Sequence, residues 1–202
     1  MAPDTVVFDF GGVLIDWNPR YLYTKLFPGD GAAMEDFLAN VTTQEWNERQ
    51  DAGRSCAQAV AELTGRHPER AALIEAYYTR WEEMLGGALP GSVILLDALR
   101  RRAVPRYGLT NWSRETFPIA RERFEFLKWF DGIVVSGEEG LAKPDPEIFQ
   151  ILIERYAIEP RKALFIDDNP LNIETARSLG FQVHHFHGDP ALRTALAGHG
   201  LI

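Results

Sequence analysis

Apolar and β-branched residues run unbroken from Thr5 to Phe8, resume at Phe10 after Asp9, and stop at Gly11 and Gly12. A continuous run, unlike an alternating one, marks a strand buried on both faces, so 5–10 is predicted as a central strand of a parallel sheet. From 19 to 85 the apolar spacing becomes helical: Tyr21, Leu22 and Leu26; Met34, Phe37 and Leu38; Ala57, Val60 and Leu63; Leu73, Ile74, Tyr77, Tyr78 and Trp81. Breakers at Pro28 to Gly31, Asp51 to Gly53 and His67-Pro68 separate these groups. A bundle of short helices, with no strand among them, is predicted there. Beyond Gly86-Gly87 and Pro90-Gly91, helices over 92–102, 114–124, 146–156, 171–179 and 190–197 alternate with strands over 106–109, 132–135, 163–166 and 181–185. That rhythm is the one of βαβ units in an α/β fold.

Composition narrows the function classes. A chain of 202 residues accommodates one sizeable α/β core and a small insertion. Twenty-one Lys plus Arg against 29 Asp plus Glu give a net charge of -8 with no basic block, so no nucleic-acid partner is expected. No apolar stretch reaches the roughly 18 residues of a membrane span, and the first ten residues lack a basic n-region. A cytoplasmic protein with no membrane partner is therefore expected. The single cysteine, Cys56, excludes an internal disulfide and reads as a small residue packed in a helix. Oligomeric state is not legible.

Polar residues that follow the strands of an open parallel sheet gather along its carboxyl edge, where ligands bind. Four such ends stand out: Asp9, Thr110-Asn111, the loop carrying Lys143-Pro144, and Asp167-Asp168. Singly, each has a plain structural reading. Asp167-Asp168-Asn169-Pro170 makes a good helix N-cap, Thr110-Asn111 a turn, and Lys143 a solvated loop lysine. Asp9 is harder to explain that way, because a carboxylate after so apolar a run is costly without a partner. Together the four describe a phosphoryl-transfer site: Asp9 as nucleophile, Lys143 as its cation, Asp167-Asp168 holding Mg2+, and Thr110 with Asn111 donating to nonbridging oxygens.

In order along the chain, Asp9-Phe10-Gly11-Gly12-Val13-Leu14, Leu109-Thr110-Asn111, Lys143-Pro144-Asp145-Pro146, and Phe165-Ile166-Asp167-Asp168 with Asn172 resemble the four motifs of the haloacid dehalogenase superfamily. The likeness covers essentially the whole chain. It implies a Rossmann-like parallel-sheet core formed by 1–15 and 88–202, with strand order five, four, one, two, three, and a small helical cap over 16–87. It implies an Asp9 nucleophile, with Asp168, Asp9 and the Gly11 carbonyl as Mg2+ ligands and Asp167 and Asn172 supporting the metal shell. Gly12 and Trp112 are the candidate substrate-binding residues. The family holds Mg2+-dependent phosphatases and metal-free 2-haloacid dehalogenases. The acidic pair Asp167-Asp168 is similar to the phosphatase form.

Most phosphatases of the family have an aspartate two residues after the nucleophile as general acid and base; this chain has Gly11. Some sugar-1-phosphatases look similar in that respect and in the Asp-Asp-Asn sequence of the fourth motif. The expected function is therefore a Mg2+-dependent phosphatase of a small phosphorylated metabolite, with a sugar phosphate preferred. The alternatives are a dehalogenase of a small halogenated acid and a noncatalytic phosphate- or partner-binding module. Asp16 offers itself as substitute acid, although a hinge-capping role is the commoner fate of such a residue. Trp17 and Trp46 could wall the pocket, and Arg20 or Arg54 could bind an anionic group. His184, His185 and His187 read as strand-end and loop residues, because neighbours on a strand point to opposite faces.

Overall fold

The apolar segments assemble as the alternation predicts. In a computed structural model, which describes residues 2–202, the elements in chain order are β1 (Thr5–Phe8), β2 (Ile15–Trp17), α1 (Arg20–Leu26), α2 (Gly31–Asn40), α3 (Gln44–Asp51), α4 (Cys56–Arg66), α5 (Ala71–Thr79), β3 (Leu85–Ala88), α6 (Pro90–Arg101), β4 (Arg106–Thr110), α7 (Phe117–Arg123), β5 (Gly132–Val135), α8 (Ser136–Glu139), α9 (Pro146–Tyr156), β6 (Ala163–Asp167), α10 (Pro170–Ser178), β7 (Gln182–His185) and α11 (Asp189–Gly198). Five strands form one sheet in the order β5-β4-β1-β6-β7, and every pairing is parallel. Read from the β7 edge and counted along the core strands alone, this is the order five, four, one, two, three. No helix among the described residues is long and apolar enough to cross a membrane.

β1 lies at the centre, and its alternate side chains fill two different cores. Val6 and Phe8 pack with Leu95, Leu96, Leu99 and Leu192 on one face. Val7 packs with Leu109, Phe149, Leu152 and Ile173 on the other. Burial on both faces is why the run reads as unbroken. The strand is shorter than 5–10, because the chain turns back on itself: Phe10 O accepts from Leu14 N at 2.8 Å and Ile15 N at 2.9 Å. Asp9 still donates its N–H to Ile166 O at 2.9 Å, which holds its side chain at the carboxyl edge.

One element was not foreseen. β2 and β3 pair antiparallel, with an irregularity between Asp16 and Trp17, and form a two-stranded ribbon where the inserted helices leave and rejoin the sheet. The partners lie about seventy residues apart in sequence and are three and four residues long, too short for a period of two to register. The inserted helices carry an aromatic core of Tyr23, Phe37, Trp46 and Tyr77. It continues through Trp81, whose ring is tilted against that of Trp112 at 5.6 Å, into Phe117 of α7.

Packing in the sheet is tight at Gly108 of β4. A Cβ there would stand 2.4 Å from Cζ of Phe10, itself fully buried against Phe117 and Phe130. Gly108→Ala is expected to destabilise the protein by about 1–3 kcal/mol through overpacking. Gly11→Ala, whose Cβ would meet nothing within 4 Å, should stay within about 1 kcal/mol of wild type. Urea unfolding midpoints of the two variants check the contrast.

Candidate active site

The carboxyl ends of β1, β4 and β6 and the loop before α9 converge on one ammonium group. Lys143 has a fully buried side chain, and its Nζ lies 3.0 Å from Asp9 Oδ1 and 2.6 Å from Asp167 Oδ2. Asp167 is buried as well and uses its remaining capacity on Asn169 N at 2.8 Å and on Asn172 Nδ2 at 3.0 and 3.1 Å. Burial pulls the Lys143 pKa down, but Asp167 and Asp9 together leave it above its usual value. The lysine is a fixed charge.

Asp9 accepts from Phe10 N at 2.7 Å and from Lys143 through the same oxygen, Oδ1. Its Oδ2 has no hydrogen-bond partner among the described residues. Burial lifts its pKa to about 7, against the pull of Lys143 and with the help of Asp167. Asp168 is also raised, by burial and then by Asp167. Each of the three aspartates offers an oxygen within 4.8 Å of the others, so three carboxylates share one ammonium.

That surplus is what a hard cation would neutralise, and three further details fit one. The donor set is all oxygen, as suits a small divalent ion. Asn172 Oδ1 is buried with no partner. Gly12 sits at φ +70°, and a Cβ on it would come within 2.3 Å of Asp168 Oδ2, so only a glycine lets that carboxylate reach the cluster. Gly11 and Asn172 line the same cavity, of about 180 Å³.

Thr110 is 1% exposed, its hydroxyl has no partner among the described residues, and it is not among the residues that line the cavity. Asn111 is differently placed from what its motif suggests. Its Nδ2 donates to Lys143 O and its Oδ1 accepts from Lys143 N, both at 2.8 Å. The carboxamide is engaged at both ends in holding the lysine's main chain. Trp112 lines the cavity, with Nε1 donating to Thr116 Oγ1 at 3.1 Å.

The pattern of four strand ends, one lysine and three carboxylates has a counterpart among known proteins. The family model for haloacid dehalogenase-like hydrolases matches residues 3–180. The chain belongs to that family. The hydrolase is 26% identical over 180 residues to sesquiterpene phosphatase astK of Aspergillus oryzae, covering 86% of this chain and 85% of that protein. It is 24% identical over 200 residues to the phosphorylated carbohydrates phosphatase of Thermotoga maritima, at 95% and 91% coverage. It is 29% identical over 197 residues to Acyl-CoA dehydrogenase family member 10 of Mus musculus, but spans only 17% of that protein's length. Its fold matches a HAD family enzyme of Bacteroides thetaiotaomicron in its magnesium complex, at TM-score 0.70, 21% identity and 91% and 93% coverage. It also matches the L-2-haloacid dehalogenase of Xanthobacter autotrophicus with chloropropionic acid covalently bound, at TM-score 0.67, 19% identity and 99% and 84% coverage.

The roof of the hydrolase's cavity comes from the insertion, chiefly Gln44, Asn47, Glu48 and Asp51 of α3 and Tyr78 of α5. None of these was read from the sequence as a site residue: Tyr78 entered only as a helical apolar position and Asp51 only as a breaker. The available signal was a polar stripe on α3: Asn47, Gln50 and Asp51 stand at i, i+3 and i+4, and Asn47 and Gln50 are buried beside Trp46. Asp16 lies outside the cavity and accepts from Tyr21 OH at 2.7 Å. Arg20 is paired with Glu35 through two contacts of 2.6 Å, and Arg54 with Gln50, Glu62 and Trp46 O. Neither arginine reaches the cavity. Trp17 lines it and Trp46 does not. His185 Nε2 lies 2.9 Å from the carbonyl of Asp168.

Two tests follow from this electrostatic layout. Lys143→Met removes the ammonium and leaves two buried carboxylates uncompensated, so the metal-free protein is expected to lose about 3–5 kcal/mol; urea unfolding in EDTA measures it. Asp51 has its pKa lifted from 3.8 to about 7, by burial and then by Glu48, with Ser113 pulling the other way and Asp9 adding to the rise. Between those two values the folded state keeps a proton the unfolded state has lost, so this group lowers stability as pH rises through the window. Asp51→Asn should therefore gain stability relative to wild type between pH 5 and about 8, and unfolding midpoints at the two ends show whether it does.

Proposed function

We propose that the protein is a Mg2+-dependent phosphomonoesterase that forms an aspartyl-phosphate on Asp9. The observation that carries the reading is the Lys143 ammonium between Asp9 and Asp167, in a cluster with two carboxylates more than one ammonium balances. The phosphatase names of the Aspergillus oryzae and Thermotoga maritima relatives support it.

In this mechanism Oδ2 of Asp9 attacks phosphorus, since Oδ1 is held by Phe10 N–H and Lys143. The Thr110 hydroxyl, unpartnered among the described residues, donates to a nonbridging oxygen, where charge builds up in the transition state. Asn111 keeps the Lys143 main chain in place, and Asp167 with Asn172 keeps its ammonium in line. Asp9, Asp168 and the Gly11 carbonyl would hold Mg2+, which when bound supplies positive charge to the phosphoryl oxygens. Water then attacks phosphorus and returns Asp9 as a carboxylate. The inserted helices, about 16–87, act as the cap that walls this chemistry off from bulk water.

The cavity also favours a substrate class. Among the described residues Lys143 is its only lining cation, and that charge is committed to two carboxylates. A roof of amides, carboxyls and a phenol suits an uncharged, hydroxyl-bearing leaving group such as a sugar or polyol. A second anionic group, including the carboxylate of a 2-haloacid, would face Glu48 and Asp51 with no cation to receive it.

Phosphate release from p-nitrophenyl phosphate is expected to be abolished by EDTA, restored by Mg2+ and lost in a folded Asp9→Asn variant. Within a panel of phosphorylated metabolites, neutral sugar and polyol phosphates should exceed phosphoglycerate in kcat/KM by about tenfold or more. Chloride release from chloroacetate that survives EDTA would instead establish the dehalogenase, and phosphate binding without turnover a noncatalytic module.

A further inference from the structure

Gly11 leaves the reaction without the proton carrier that a poor leaving group needs, and the space above it is open, with nothing within 4 Å of where its Cβ would stand. The same cavity is lined from the insertion by Asp51, at the last turn of α3. Asp51 has no cation within salt-bridge distance among the described residues. It is instead the terminus of a directed chain of hydrogen bonds inside the insertion. Arg54 Nε donates to Gln50 Oε1 at 2.7 Å, and Gln50 Nε2 donates to Tyr78 OH at 2.9 Å. Tyr78 OH donates to Asn47 Oδ1 at 3.3 Å, and Asn47 Nδ2 donates to Asp51 Oδ2 at 3.1 Å.

Every donor in that chain points the same way, so each bond polarises the next and the last delivers an N–H to Oδ2. Asn47 Nδ2 takes Oδ2, and a backbone hydrogen bond from Ser113 also bears on the carboxyl group; in the proton transfer below, the proton sits on Oδ1. Such directed, buried wiring is more than α3 needs for its own stability: Gln50 is fully buried and Asn47 nearly so, in a helix that could have used apolar side chains there. The cavity is small beside those that take a drug-sized ligand, so a phosphoryl group on the Asp9 floor brings its ester oxygen toward the roof.

We propose that Asp51 is the general acid and base of this site, carrying from the insertion the proton that position 11 cannot. The inference rests on the phosphatase reading above. In the first step Asp9 Oδ2 forms a bond to phosphorus as the bond from phosphorus to the ester oxygen breaks, and Asp51 Oδ1 gives its proton to that departing oxygen, releasing an alcohol. In the second, water attacks phosphorus and its proton returns to Asp51, while Asp9 leaves as a carboxylate and inorganic phosphate is freed. Both groups end as they began. Burial with Glu48 alongside keeps the Asp51 carboxyl protonated far above the usual carboxylate range, as an acid requires. Because the proton carrier belongs to the insertion, proton transfer is available only with the inserted helices seated over the sheet.

The test reads kcat/KM, which reports the first step alone, over a series of aryl phosphates from p-nitrophenyl phosphate, whose leaving group needs no proton, to phenyl phosphate, whose leaving group does. Asp51→Asn is expected to lose about 10²-fold or more on phenyl phosphate and under about tenfold on p-nitrophenyl phosphate, steepening the dependence on leaving-group acidity. Tyr78→Phe, which cuts the chain and leaves the carboxyl group, should give an intermediate slope, and it decides the matter if Asp51→Asn does not fold. Equal losses across the series, or an unchanged slope in both variants, overturn the proposal. Failure of the wild-type protein to turn over any aryl phosphate with Mg2+ overturns the phosphatase reading itself, and this inference with it.

Discussion

A lysine ammonium buried between two aspartates is the constraint around which this protein is arranged. Desolvating Lys143, Asp9 and Asp167 costs several kcal/mol per ion, and the attraction between them offsets that only when the geometry is fixed and the remaining lone pairs are filled. Everything nearby serves those two conditions. Asn111 clamps the main chain of Lys143, Asn172 and Asn169 fill the lone pairs of Asp167, and the N–H of Phe10 fills one of Asp9. β1 must lie between β4 and β6 for these groups to meet, and the parallel order of the sheet places it there.

The same arrangement leaves a deliberate imbalance. A structural ion pair would stop at one carboxylate; here a second already exceeds neutrality, and a third, Asp168, is brought in past the bare α-carbon of Gly12. Asp9 is left with one oxygen unpartnered among the described residues and a raised pKa, an expensive state in a resting protein and, on the proposed reading, a useful one in a nucleophile. Stability is conceded at the floor of the cavity and recovered in the two apolar cores on either face of the sheet.

Floor and roof divide the chemistry. The floor, built on strand ends, holds charge and is rigid because its groups are bonded to main chain. The roof, built on α3 and α5, offers amides, a phenol and carboxyl groups, and no free cation. Trp81 against Trp112 joins the two apolar regions, so closing the roof and building the core are one packing event. The short β2-β3 ribbon is the covalent route between them.

The parts visible before folding are those that a local pattern encodes. An unbroken apolar run told that β1 is central, periodicity located the helices within a few residues, and the order of the four strand ends told which side chains share an edge, because a parallel sheet brings its strand ends together whatever lies between them. That Asp9, Lys143, Asp167 and Asp168 meet at one edge was legible for that reason. Folding alone decided what depends on how one packed layer sits on another. The β2-β3 pairing joins residues from the two ends of the insertion, the carboxamide of Asn111 turns to a loop more than thirty residues away, and Asp51 reaches the cavity only because α3 packs at one particular angle over the sheet. A helix period says which face of α3 is buried; it does not say what that face is buried against.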